Sequence, residues 1–238
     1  MNERYVILML DAPLMSFGAE AVDAFGVVRD FPARSAITGL IANALGWERY
    51  ETERLDTLQE RIVMGAARLE EGRRIRDFQT AQLSAGDKGW TTRGRAEGRA
   101  GGAATYKSPH IRYRDADADA RVLVALRLAP AEAAPTLDQV VEALDRPERP
   151  LFIGRKSFLP STRLNHGSVV ADSVGDALAL ALAREGKEQA RAQWPTGEGP
   201  PQHAPLIELT DERNWRTGVH AGLRRVVEGP LSARPFRS

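Results

Sequence analysis

Apolar positions along this chain fall into runs of two kinds. Tyr5 to Leu10 (YVILML) is continuous, short and closed by Asp-Ala-Pro, which predicts a buried strand. A loop over residues 11–31 follows, and then Ile37, Leu40, Ile41, Ala44 and Leu45 recur at the spacing that puts all five on one face of a helix. Asp30 is placed to cap that helix, Pro32 suits its first turn, and Gly46 stands where a left-handed residue closes it. Leu55 to Arg61 predicts a second short helix. Ile62 to Leu69 and Arg73 to Gln82 predict strands joined by a hairpin turn at Glu71-Gly72. Arg121 to Leu128 is a further strand, and Leu137 to Leu144 a helix capped by Thr136. The order β-α-β-β-insertion-β-α predicts an α+β, ferredoxin-like sheet with its helices on one face. Residues 1–160 form the expected core. Residues 161–238 form a C-terminal extension: one helix from Ser168 to Trp194 interrupted at Gly186, a Pro/Gly linker over 195–205, and a basic, irregular tail.

Composition narrows the picture. The chain has 238 residues, 42% hydrophobic and 27% charged, with a net charge of only +1. A near-neutral protein holds an anionic partner through local clusters of cations, not over its whole surface. With no cysteine there is no disulfide, thiolate nucleophile or thiolate metal site, and the four histidines show no paired metal-ligand spacing. No metal or cofactor is expected. The N-terminal apolar run is far too short to span a membrane and has no signal-peptide cleavage region, so a cytoplasmic protein is the default expectation.

The cations cluster in residues 86–114. Lys88, Arg93, Arg95, Arg99, Lys107, Arg112 and Arg114 stand against only Asp87 and Glu97, so the rest of the chain is net acidic. Glycine is frequent and large aliphatics are almost absent, so the segment cannot build a core of its own. Trp90 and Tyr106 are interleaved with the cations. Aromatic faces can stack unpaired bases while guanidinium groups take phosphates. Two further places repeat the theme. Arg29, Arg34 and Ser35 flank the start of the first helix, whose amide groups could hold a phosphate or simply face water. Gly154-Arg155-Lys156-Ser157 follows an apolar run and suits a phosphate oxygen or a plain basic turn; it lacks the spacing of a nucleotide P-loop.

Four stretches, in order, carry a resemblance: LMLDAPLMSFG, then RDFPARSAITGLIANALGWER, then IRDFQTAQ before the basic insertion, and RPLFIGRKS after the second long helix. Together, from about Tyr5 to Ser161, they resemble the CasD subunits of type I-E CRISPR Cascade complexes, of the RAMP superfamily. The resemblance implies an RRM-related ferredoxin-like core with a protruding thumb, here residues 82–112. It implies a role in antiviral defence: holding the 5′ handle of a CRISPR RNA, touching the backbone-forming and large subunits, and meeting target DNA only through the complex. Carried onto this chain, the handle-facing residues are Ser16, Phe17, Gly18, Arg29, Arg34, Ser35, Arg76, Thr80, Gln82, Gly154, Arg155 and Lys156. The thumb adds Lys88, Trp90, Arg93, Arg95, Arg99, Tyr106, Lys107 and His110. Phe17 stands where many relatives have Trp, which keeps a stacking or packing role. Phe78-Gln79-Thr80 replaces an expected Tyr-His-Thr.

The resemblance implies a binder and not an enzyme. The rival reading is a metal-independent endoribonuclease, since Tyr106, Lys107 and His110, with Lys156, carry the acid and base groups that such cleavage uses. Their glycine-rich setting is poorly suited to holding reactive geometry. A plain RNA-binding protein, or a scaffold for an acidic partner, are the remaining readings.

Overall fold

The computed structural model describes residues 2–19, 24–82, 89–90, 96–97, 109–200, 206–220 and 222–234. Its elements run β1 (Glu3–Asp11), β2 (Leu14–Met15), β3 (Phe17–Gly18), β4 (Phe25–Gly26), β5 (Val28–Arg29), α1 (Arg34–Ala44), α2 (Thr52–Arg61), β6 (Ile62–Glu70), β7 (Arg73–Ala81), β8 (Gly89–Trp90) and β9 (Ala96–Glu97). They continue with β10 (His110–Ala118), β11 (Arg121–Leu128), α3 (Leu137–Asp145), β12 (Asn165–Ala171), α4 (Val174–Arg184), β13 (Gln189–Pro195), β14 (Leu206–Leu209) and β15 (Arg224–Ser232).

The main sheet has seven strands in the order β12-β1-β11-β6-β13-β15-β14, every neighbouring pair antiparallel. Its first four strands, with α1 and α2 between β1 and β6 and α3 between β11 and β12, are the ferredoxin-like arrangement. The α+β expectation therefore holds, with four corrections.

The first concerns β6 and β7, which are not a hairpin. β6 pairs with β11 and β13, whereas β7 leaves the sheet and pairs with β10 over nine positions from Arg73↔Ala118 to Ala81↔His110. Gly72 makes the redirection possible: its φ is +64°, and a Cβ there would stand 2.4 Å from the Ala118 carbonyl oxygen. The third strand of the core is thus β11 and the fourth is β12. The division at residue 160 cuts through one sheet, because residues beyond 161 supply β12, β13, β14 and β15.

Second, helices cover both faces. Val6, Leu8 and Leu10 pack with Ile37 and Ile41 of α1, Leu58 of α2 and Val140 of α3. Tyr5, Ile7 and Met9 point the other way, onto Val174, Leu178 and Leu182 of α4. A central strand covered on both sides is apolar at every position, which is why YVILML does not alternate. Gly65 of β6 lets α4 lie close: a Cβ there would fall 2.5 Å from Val174 Cγ1 and 2.7 Å from the Gln193 carbonyl.

Third, the segment from Ser168 to Trp194 is not one helix, and the tail is not irregular. α4 stops before Gly186, whose φ is +68°. The following QARAQW is strand β13, with Ala190, Ala192 and Trp194 buried at every second position against α4's layer. Its alanines and glutamines are good helix formers, but seven ladder pairs with β15 override that preference.

Fourth, Asp30 does not cap α1. The N-cap is Ala33, without a side-chain bond. Thr136 caps α3 as expected, in a capping box with Gln139.

β7 and β10 form an arm rooted in a charge network. The Arg68 guanidinium is buried and donates to Asp117 at 3.2 Å and to the Asp30 carbonyl at 2.6 Å; Arg74 Nε donates to the same carboxylate at 2.8 Å. Arg191 of β13 reaches Asp30 and Glu71, both at 2.9 Å. Buried pairs of this kind set geometry more than they add stability.

Candidate nucleic-acid interface

Beside the arm's root lies a cleft of about 540 Å³. It is made by Ser16, Gly18 and Ala19, by Ala24 to Val28, by the first turn of α1, by the stretch Arg112 to Arg114 of β10 and by Gly154-Arg155; a C-terminal segment carrying Arg213, Trp215 and His220 completes it. Phe25-Gly26 runs parallel to Tyr113-Arg114, which fixes the N-terminal loop against the arm.

Gly154 has φ +95°, and a Cβ would lie 1.9 Å from the Ser16 carbonyl oxygen. Only glycine allows this approach, in which the Ser16 N–H donates to the Ile153 carbonyl at 3.2 Å. Arg155 is thereby carried into the cleft. Its Nη2 donates to the Asp115 carbonyl at 2.9 Å, and its guanidinium stands 5.3 Å from the Phe158 ring centre. Burial first, and then the neighbouring Arg114, pull its pKa below the usual arginine range. Arg213 is pulled the same way by burial and by Arg49. Among the described residues neither Arg155, Arg213 nor Arg114 makes an ion pair. Asp77, opposite Arg114 in the ladder, and Asp115 offset only part of this for Arg155, and cations left out of ion pairs on one cleft favour an anion there.

The structure separates the expected site residues into three groups. Ser16, Gly18, Ser35, Gly154 and Arg155 line the cleft, and the Ser35 hydroxyl is 3.4 Å from His220 Nε2.

The second group has other work. Phe17 is buried among Phe31, Met15 and Ile153, so its role is packing. Arg29 also borders the neighbouring pocket and donates to the Thr210 carbonyl at 3.0 Å. Arg34 is half-buried and pairs with Glu212 at 2.7 Å. The α1 amide groups expected to be open to a phosphate are already taken. The Arg34 N–H donates to Asp211 Oδ2 and the Ser35 N–H to the Asp211 carbonyl, both at 3.1 Å, with Asp211 itself held by Arg224 at 2.5 Å. A protein carboxylate fills the place predicted for an anion. Arg76 is bound by both oxygens of Asp115, at 2.7 and 3.0 Å. Thr80, Gln82 and His110 lie towards the arm's outer end, and Lys156 is exposed beside the cleft.

The third group is the thumb. Lys88, Arg93, Arg95, Arg99, Tyr106 and Lys107 lie outside the described residues. Trp90 lies in β8, which pairs with β9.

Residues absent from the expected set are Phe25, Arg112, Tyr113 and Arg114, and the C-terminal Arg213, Trp215 and His220. The tail stretch RNWRTGVH interleaves aromatics and cations as the thumb does, and that signal was available. Among the described residues no group of His, Asp and Glu is arranged to hold a metal ion, and no helix is long and apolar enough to cross a membrane.

A ferredoxin-like α+β core with an antiparallel arm over a cationic cleft defines the class of this protein. The sequence matches the family described as CRISPR-associated protein (Cas_Cas5) over residues 5–227, and the chain belongs to that family. The resemblance read from four stretches is borne out at this level, and extends well beyond Ser161. No curated protein matches the chain. Among solved structures, a chain described as "CRISPR RNA-guided surveillance complex" is 20% identical, with a TM-score of 0.68 over 96% of this chain and 90% of that one. A second, described as "Crystal structure of Cas protein", is 21% identical, with a TM-score of 0.60 over 96% and 95%. At these identities the likeness speaks for the fold.

Proposed function

We propose that this chain is an RNA-holding subunit of a CRISPR surveillance complex, gripping the 5′ handle of the CRISPR RNA without cutting it. The observation that carries the reading is the convergence of Arg114, Arg155 and Arg213, none of them in an ion pair among the described residues, on one cleft from elements far apart in sequence. Such contacts take phosphates and set the strand's register without reading its bases. In that complex the chain touches the backbone-forming and large subunits, and target DNA is met through the assembled complex. Family membership and the surveillance-complex structure that shares the fold support this reading.

Purifying the chain with its genomic neighbours and sequencing the bound RNA tests it. RNAs sharing one 5′ end are expected; RNA with random ends, or none, overturns the proposal. The nuclease reading is tested separately. His220 lines the cleft and His110 begins β10, so His110→Ala and His220→Ala should each leave precursor processing unchanged. Loss of cleavage in either variant would assign catalysis to this chain.

A further inference from the structure

Three aromatic rings form a row across the arm, its two ends exposed and its middle ring half-buried. Phe78 of β7 is opposite Tyr113 of β10, and Tyr113 is beside Phe25 of β4, so three hydrogen-bonded strands fix their order. The Phe25 and Tyr113 rings stack at 5.0 Å with an interplanar angle of 13°, and Phe78 meets Tyr113 at 5.6 Å and 59°. Phe25 is 42% exposed and Phe78 56%. Rings of this size usually leave water on folding, and a rigid, solvent-facing row needs an occupant.

The surroundings identify its chemistry. Phe25 and Tyr113 also wall the cleft that holds Arg114 and Arg155, so the row continues from the cations. The Arg76 guanidinium, held by Asp115, stands 5.4 Å from the Phe25 ring centre. Beside Phe78 on its strand are Asp77 and Gln79, and on its own face Arg76 and Thr80. A protein-docking patch needs a broad apolar surface with few charges at its centre. A narrow row of rings set among cations matches unpaired bases on a phosphate chain.

We infer that Phe25, Tyr113 and Phe78 are a stacking platform for unpaired nucleobases of the strand whose phosphates occupy the cleft. This rests on the RNA-holding reading above and names where the bases go. Stacking is tolerant of sequence, because every base has a π face, and favours purines through their larger area.

The test uses the full chain and a panel of single-stranded RNAs, each with one abasic nucleotide at a different position. Phe25→Leu and Phe78→Leu, which keep apolar bulk at half-exposed sites, should each lower affinity about fivefold to a hundredfold. Phe78→Trp should retain parental affinity. One abasic position should lose affinity for the parent and lose nothing further in a leucine variant, the non-additivity that marks a direct contact. If Arg155→Glu weakens binding but both leucine variants bind every RNA as the parent does, the platform is refuted and RNA holding survives. If the parent binds no RNA at low salt, RNA holding falls and the platform with it. Leucine variants that keep RNA but lose a protein subunit from the purified complex would make the row a protein-docking surface and refute the inference.

Discussion

Asp211 is the residue whose removal says most about how the cleft is built. Its side chain is 1% exposed and pairs with the 6% exposed Arg224 at 2.5 Å, while its carboxylate and carbonyl accept the first two amide groups of α1. Asp211→Ala leaves a buried guanidinium without a counter-charge, a loss of about 3–5 kcal/mol. The Arg34 amide also loses its acceptor, at about 1 kcal/mol. The two effects share one carboxylate and will not add in full, so a total of about 4 kcal/mol is expected. For a chain of this length that is a fall in Tm of about 8–16 °C. The assay is urea denaturation followed by circular dichroism, repeated in sulfate and in chloride at matched ionic strength. The variant leaves the Arg224 guanidinium and the Arg34 amide, at a helix N-terminus, without their shared carboxylate, a ready site for a divalent anion. Sulfate should therefore stabilise the variant more than the parent, beyond its general salting effect. A loss below about 1 kcal/mol, small against the cost of an unpaired buried charge, would refute the clamp. Equal sulfate gains in both proteins would refute the idea that Asp211 occupies an anion site.

Other outcomes are as specific. Arg114→Glu and Arg155→Glu should weaken RNA retention and flatten its dependence on salt, since each phosphate contact releases counterions; binding measured across salt concentrations checks this. Neutralising Arg93, Arg95 and Arg99 together should weaken retention in the same salt-dependent way, and unchanged retention would remove the thumb from the interface. Gly154→Ala, with a strained φ and a methyl group 1.9 Å from the Ser16 carbonyl, should cost about 1–3 kcal/mol in thermal unfolding and also lower RNA affinity by displacing Arg155. The hydrogen bond from Arg76 holds the Asp115 carboxyl below the usual range, and that from Arg191 does the same for Glu71. Carboxyls with depressed folded-state pKa values stabilise the fold above about pH 4 and lose that contribution as the pH falls below it. Arg76→Gln should therefore flatten the acid side of a stability-against-pH profile, and an unchanged profile would show that the pair contributes nothing.

Much of the local structure was legible in residue order. The spacing of Ile37, Ile41 and Ala44 defines α1, Thr136 marks the start of α3, and RVLVALRL coincides with β11. Each depends on periodicity or on a short-range bond, which neighbouring residues specify by themselves. The segment from Gln189 to Trp194 reads as helix in sequence because its alanines fit either period; burial of Trp194 and pairing with β15 decide for strand.

The cleft belongs to the other category. Composition placed cations near Arg114 and Arg155, but could not show that Arg34 and Arg76 are neutralised by Glu212 and Asp115. Nor could it show that Asp211, far along the chain, closes the first turn of α1, or that Arg213 and Trp215 complete a wall begun by Ser16. An arginine's charge is a property of its type, whereas its freedom to meet a phosphate depends on which carboxylate the fold brings beside it. Sequence thus determined most of the core elements, the family and the supply of positive charge; only the packing of distant segments decided the C-terminal strands and which of those charges face an open cleft.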